Sequence, residues 1–282
     1  MVPVTAWTRK VKQPRGGYLP VKSMRVERFD DGRELHPNEN LSAGTVGTAV
    51  DYLSRVLSGH DAKEVFALPL AGAEKLDKTY FANKYLSEVI MFADDGDICP
   101  ELIRAGVNLS RFDVVFKTGN AKYLSALNGA VVIDDETVEN IEIMLSRILA
   151  FRKRNGLLDA KAIPVQSIAF PGLTGEDRLC GEIDILGESS LWDCKAMSTK
   201  LRATYTAQLL AYYVMLYDMG GMRCSECVRL GGLNPITQTD GDFLLGFFNP
   251  RENAEYSILV SQLDPVMFEK LEADMVNLEY MY

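Results

Sequence analysis

Apolar positions along the chain follow two periods. Val46, Val50, Leu53, Val56 and Leu57 recur at helical spacing between Ser42 and Gly59, which predicts a helix over 43–58. The pattern over 134–155 is clearer: Asp134 and Asp135 precede Val138, Ile141, Ile143, Met144, Ile148 and Leu149, and Arg152, Lys153, Arg154 and Gly156 close the run. Between these helices, 61–128 reads as several short helices, one through Phe81 and Tyr85 and one around Cys99 to Ala105. After residue 161 the period becomes two, which predicts strands over 162–170, 179–186 and 191–197. A helix follows over 202–219, closed by Gly220 and Gly221. Strands over 243–249 and 254–260 then flank a turn at Asn249, Pro250, Arg251 and Glu252, and Asp264 with Pro265 opens a last helix. Residues 1–40, rich in Lys, Arg, Pro and Gly, read as an extended arm with an edge strand and a short hairpin around Asp30, Asp31 and Gly32.

This order predicts an α/β (α+β-like) fold with a central mixed sheet flanked by helices. Residues 1–40 form an arm, 41–160 a mainly helical elaboration including the first core helix, and 161–282 the core with a C-terminal hairpin and helix.

With 282 residues the chain has room for a sizeable core, and 47% hydrophobic and 24% charged residues exclude wholesale disorder and collagen-like repeats. The longest nearly apolar stretch, Leu209 to Tyr217, is shorter than the roughly 20 residues that span a bilayer. No basic-then-apolar leader opens the sequence, and the five scattered cysteines fit reduced thiols, so a cytoplasmic location is expected. Thirty basic against thirty-nine acidic side chains give a net charge of −9, which disfavours bulk adhesion to nucleic acid or anionic membranes. A bound divalent cation is one way such a chain holds a polyanion.

Candidate chemistry concentrates in 180–195. A hairpin loop centred on Glu188 and Ser189 pairs Leu186 with Leu191 and therefore sets Asp184 opposite Asp193. Alternation then places Glu182, Asp184, Asp193 and Lys195 on one face and Ile183, Ile185, Trp192 and Cys194 on the other. Opposed carboxylates about 5 Å apart at Cβ repel, and a divalent cation relieves the repulsion. Two carboxylates, a backbone carbonyl and waters make the hard oxygen site that Mg²⁺ prefers, with the Lys195 ammonium beside it. That combination suits phosphodiester hydrolysis by a metal-activated water. The plain alternative is a solvated polar face with cross-strand ion pairs. On the next helix Gln208 and Tyr212 stand at i and i+4; the plain reading of these two is core packing with a buried hydrogen bond.

The series Gly181, Glu182, Ile183, Asp184, then Asp193, Cys194, Lys195, then Gln208 through Tyr212 resembles the GxxD, (D/E)xK and QxxxY motifs of the PD-(D/E)XK nuclease superfamily, within it the RecB-type nucleases. The resemblance covers about 160–260. It implies a restriction-endonuclease-like core and a Mg²⁺- or Mn²⁺-dependent deoxyribonuclease, with exonuclease action the first expectation. By similarity Asp184, Asp193 and the Cys194 carbonyl hold the metal, Lys195 is the catalytic lysine, and Gln208 and Tyr212 hold the DNA strand. Asp51 is the candidate to complete the metal site, with a surface ion pair to Arg55 as the alternative; relatives often have histidine in such a context. Lys195→Ala is expected to abolish cleavage and leave folding intact. Lys200, Arg202 and the Arg152–Arg154 run are candidate phosphate contacts or solvated basic residues. His60 reads as a helix-end residue and His36 as part of the polar arm. Cys224 and Cys227 form a single CxxC without the late trio that iron–sulfur relatives have. No phosphate-loop motif occurs, so any helicase or recombination partner is a separate protein. The competing class is a nuclease-like fold that no longer cuts and serves as a nucleic-acid or protein binding module.

Overall fold

The computed structural model describes residues 2–94, 96–118, 130–166, 179–221 and 242–276. In chain order its elements are β1 (Val2–Pro3), α1 (Val4–Lys10), β2 (Arg25–Arg28), α2 (Ala43–Leu57), α3 (Ala62–Val65), α4 (Ala67–Glu74), α5 (Thr79–Ala93), α6 (Pro100–Ser110), α7 (Asp113–Thr118), α8 (Asp135–Arg154), β3 (Lys161–Gln166), β4 (Leu179–Leu186), β5 (Ser190–Cys194), α9 (Ala203–Gly221), β6 (Leu244–Asn249), β7 (Ala254–Leu259) and α10 (Pro265–Val276).

The sheet is mixed, as expected. Its order is β1-β4-β5-β6-β7-β2 with β3 added on β4. The β5/β6 and β1/β4 pairs are parallel, and the other pairs are antiparallel. Adjacent residues of one strand serve different cores. Leu191 of β5 and Phe247 of β6 pack with Trp7 of α1, Leu209 of α9 and Leu271 of α10. Their neighbours Trp192 and Phe248 pack with Leu53 of α2, Leu109 of α6 and Phe151 of α8. Three layers result, with the sheet in the middle.

The two helices that frame the site are locally specified. Ser42 caps α2 by accepting from the Thr45 N–H at 3.2 Å, and the chain leaves it through Gly59 at φ +88°, a conformation that other residues adopt at a cost. Asp134 caps α8 by accepting from the Thr137 N–H at 2.8 Å, with Asp135 and Glu136 in the first turn. No helix among the described residues is long and apolar enough to cross a membrane.

Three expectations need correction. The N-terminal arm is not simply extended: Val4 and Trp7 bury one side of α1, Val11 is buried just after it, and Trp7 stacks on Tyr18 at 6.4 Å. Its edge strand does form, as β2 on β7. No hairpin forms at 30–32, because Asp31 is engaged elsewhere. The buried Arg147 guanidinium donates to both Asp31 oxygens at 2.9 and 2.8 Å and to the carbonyls of Arg33, Pro250 and Arg251. The third concerns β5, which stops at Cys194 instead of reaching Met197. The Asn249 amide donates to the Met197 carbonyl at 3.1 Å and accepts from its N–H, and Arg251 donates to the Ala196 carbonyl at 3.2 Å, so side chains replace the ladder. Residues 167–170 of the first expected core strand lie outside the described residues.

Candidate functional site

The β4/β5 ladder has the expected register, with Leu186 opposite Leu191 and Ile185 opposite Trp192, and it ends there. One step further, where the strands part, stand Asp184 and Asp193. Strand β4 is also irregular at this point. Against β3, Lys161 pairs with Leu186 but Ile163 pairs with Ile183, so β4 carries one extra residue, a bulge at 184–185. The bulge breaks the expected alternation: Ile185 packs with Trp192 and Cys194, whereas Ile183 joins the opposite core with Leu191. The carboxylates nevertheless converge, because the Asp184 side chain reaches across the parting strands and its Oδ2 accepts from the Cys194 N–H at 2.9 Å.

Asp193 is 1% exposed. The Lys195 Nζ lies 2.9 Å from each of its oxygens and donates to Oδ1. With both acids ionised, the buried Oδ2 receives no hydrogen bond; protonation of Asp184 would give Asp193 one. Burial and then the Asp193 charge push the Asp184 carboxyl well above the usual range. Burial also raises Asp193, although Lys195 pulls it back. Burial disfavours the Lys195 ammonium, yet Asp193 and Asp184 outweigh it and hold the group charged above the ordinary lysine range. Both acids are therefore held short of their preferred charge state, and the lysine is not.

Gln208 and Tyr212 of α9 lie behind this cluster. They are only 6% and 3% exposed, and the Gln208 amide donates to the Tyr212 hydroxyl at 3.0 Å. Burial first, then the two aspartates, raise the Tyr212 hydroxyl. Buried to this degree, the pair matches the plain reading more closely than a direct grip on a DNA strand. Gly181 is needed for the packing, since a Cβ there would come within 2.9 Å of the Tyr212 hydroxyl and closer still to its ring.

Asp51 of α2 lines the same cleft but is engaged by Arg55, whose Nε and Nη2 donate to its two oxygens at 3.1 and 2.9 Å. Arg55 is 8% exposed, so the pair is not the surface contact that i,i+4 spacing suggested. Its Nη1 donates to Glu182 at 2.7 Å. The open side of the site is a cleft of about 430 Å³ whose walls include Thr48, Asp51, Lys117, Asp184, Lys195 and Tyr205. Lys117 and Tyr205 were not singled out from the sequence. Lys117 pairs with Asp113 at 2.8 Å, and the Tyr205 ring centre lies 5.9 Å from the Lys195 Nζ.

Other candidates fall elsewhere. Arg152 is buried and donates to the carbonyls of Leu157 and Ala160, and Arg154 pairs with Glu255 and covers the Phe29 ring at 3.6 Å. Neither is a solvated phosphate contact. Lys200 and Arg202 are exposed. His36 pairs with Glu139 at 2.8 Å, and a ring nitrogen of His60 lies 3.2 Å from the Ala160 carbonyl. Cys99, Cys180 and Cys194 are free thiols, while Cys224 and Cys227 lie outside the described residues.

Among the described residues, no group of three or more His, Cys, Asp or Glu side chains gathers to hold a metal unaided. The residues present still fit one hard divalent ion: two converging carboxylates that resist ionising together, one of them with a buried oxygen lacking a hydrogen bond. Backbone and water oxygens would complete such a set. Comparison with family models, curated proteins and solved structures yields no match.

Proposed function

We propose that the chain is a metal-dependent deoxyribonuclease of RecB type, with exonuclease action, hydrolysing phosphodiester bonds in the cleft beside Lys195. The observation that supports it most is the meeting of Asp184 and Asp193 where β4 and β5 part, with the Lys195 ammonium 2.9 Å from Asp193. In this reading Asp184, Asp193 and the Cys194 carbonyl hold Mg²⁺ or Mn²⁺. When bound, the ion supplies Lewis acidity and a water of lowered pKa. Lys195, held charged, orients the attacking water and neutralises charge that develops on the phosphoryl oxygens. Gln208 and Tyr212 act as positioning residues that fix the wall behind Asp193. Lys117, Thr48 and Tyr205 offer a cation, a hydroxyl and a ring to the substrate backbone and bases on the open side.

The test is incubation of linear and circular, single- and double-stranded DNA with Mg²⁺ or Mn²⁺ and with chelator. Degradation of linear DNA that needs the metal and disappears in Lys195→Ala is expected. Cleavage by Lys195→Ala at the parent rate refutes the assignment. DNA binding without cleavage by the parent would move the chain to the non-cutting module.

A further inference from the structure

A two-metal nuclease site needs carboxylate oxygens for a second ion about 3.5–4 Å from the first. The acids that surround Arg55 together with Asp184 are Asp51 on α2 and Glu182 on β4. Both are bonded to one buried guanidinium. Arg55 donates to the two Asp51 oxygens at 3.1 and 2.9 Å and to Glu182 Oε1 at 2.7 Å. A guanidinium does not lose its proton in a protein, and its planar fork on a carboxylate is among the stronger polar contacts. By contrast, the buried Asp193 Oδ2 receives no hydrogen bond, although the Lys195 ammonium pairs with it at 2.9 Å. The site therefore divides in two, one part where an ammonium leaves a carboxylate oxygen without a hydrogen bond and one whose acids are bonded to a fixed guanidinium.

We propose that Arg55 stands in place of a second metal ion, so that the site takes a single divalent cation, held by Asp184 and Asp193, and Asp51 is not a ligand. The proposal rests on the nuclease reading only in assuming that the two aspartates hold a metal. Arg55 then has two consequences. It keeps both acids hydrogen-bonded whether or not the ion is bound, and it brings the charge of this group from −2 to −1 independently of metal supply.

The probe is Mn²⁺ alone, titrated calorimetrically into the full chain, with electron paramagnetic resonance of the bound ion. One ion per chain is expected for the parent and none for Asp193→Asn. Asp51→Asn should change the affinity less than about threefold, no more than about half of a tenfold step in free energy. Arg55→Met, which frees both acids, should bind a second ion and give the broadened spectrum of a coupled pair. Two ions in the parent, or a loss of tenfold or more in Asp51→Asn, overturns the proposal and leaves the nuclease reading standing. No ion in the parent, or unchanged binding in Asp193→Asn, overturns both. If Arg55→Met does not fold, Asp51→Asn and Glu182→Gln in the parent background still decide it.

Discussion

Replacing Lys195 by methionine preserves the apolar stem and removes the ammonium, which leaves Asp193 buried without its cation. Losing one partner of a buried ion pair costs about 3–5 kcal/mol, and the 23% exposure of the Lys195 side chain favours the lower end, about 3 kcal/mol at pH 7.5. The pH dependence fixes the cause. The folded-state pKa of Lys195 is raised, so its contribution is fully present below the ordinary lysine value and is lost only as pH rises through the higher folded one. It therefore stands complete at pH 7.5 in the parent. Asp193 is raised as well, so its ionised form opposes folding, and that penalty grows as pH climbs from the ordinary aspartate value through the folded one. In Lys195→Met the penalty is larger, because nothing offsets burial. Urea unfolding followed by circular dichroism, extrapolated to water, should give a deficit that is largest at pH 7.5 and smaller at pH 4.5. Asp193→Asn combined with Lys195→Met should recover most of the loss at pH 7.5. An equal deficit at both pH values, or a double variant no more stable than the single one, would refute the reasoning. By this reasoning a Lys195 variant is less stable than the parent, so activity losses at this position have to be measured under conditions where the variant is folded.

Two other outcomes follow from contacts around the site. Gly181→Ala pushes a methyl group into the Tyr212 ring and should cost about 1–3 kcal/mol by overpacking, read as a lower urea midpoint; a midpoint equal to the parent's would show that the helix yields freely. Asp31 is held well below the usual carboxylate range, first by its hydrogen bond from Arg147, so it adds stability above the ordinary aspartate pKa and loses it as pH falls towards the folded value. Asp31→Asn should therefore trail the parent by a constant margin from pH 7 to 5, with the gap narrowing below about pH 4. A gap unchanged down to pH 2 in unfolding titrations would contradict that assignment.

Much of the frame could be read locally. The bounds of β4, Leu179–Leu186, the caps of α2 and α8, and the Leu186–Leu191 register all follow from period and turn chemistry within a few residues. What escaped the sequence depends on distant partners. The bulge at 184–185 is a feature of pairing with β3, so strict alternation put Ile183 on the wrong side. Arg55 looked like one half of an exposed pair because Glu182, 127 positions away, is invisible to helix spacing. Arg152 read as a solvated basic end, yet the turn after α8 folds back to surround it with carbonyls. Helix α1 was hidden by composition: Trp7 sits among Thr8, Arg9 and Lys10, and its apolar stripe matters only once α9 and α10 cover it.

The pairing of β2 with β7 joins residues 25–28 to 254–257, and the Tyr18 hydroxyl donates to Asp274 at 2.6 Å. As the chain leaves the ribosome residues 18–28 emerge long before those partners, so that edge and the pocket for Trp7 can be completed only after residues 254–274 have been made. Until then the tail of early sequence is a ready contact for a holdase or a protease, and assembly of the sheet is timed by translation rather than by local helix formation.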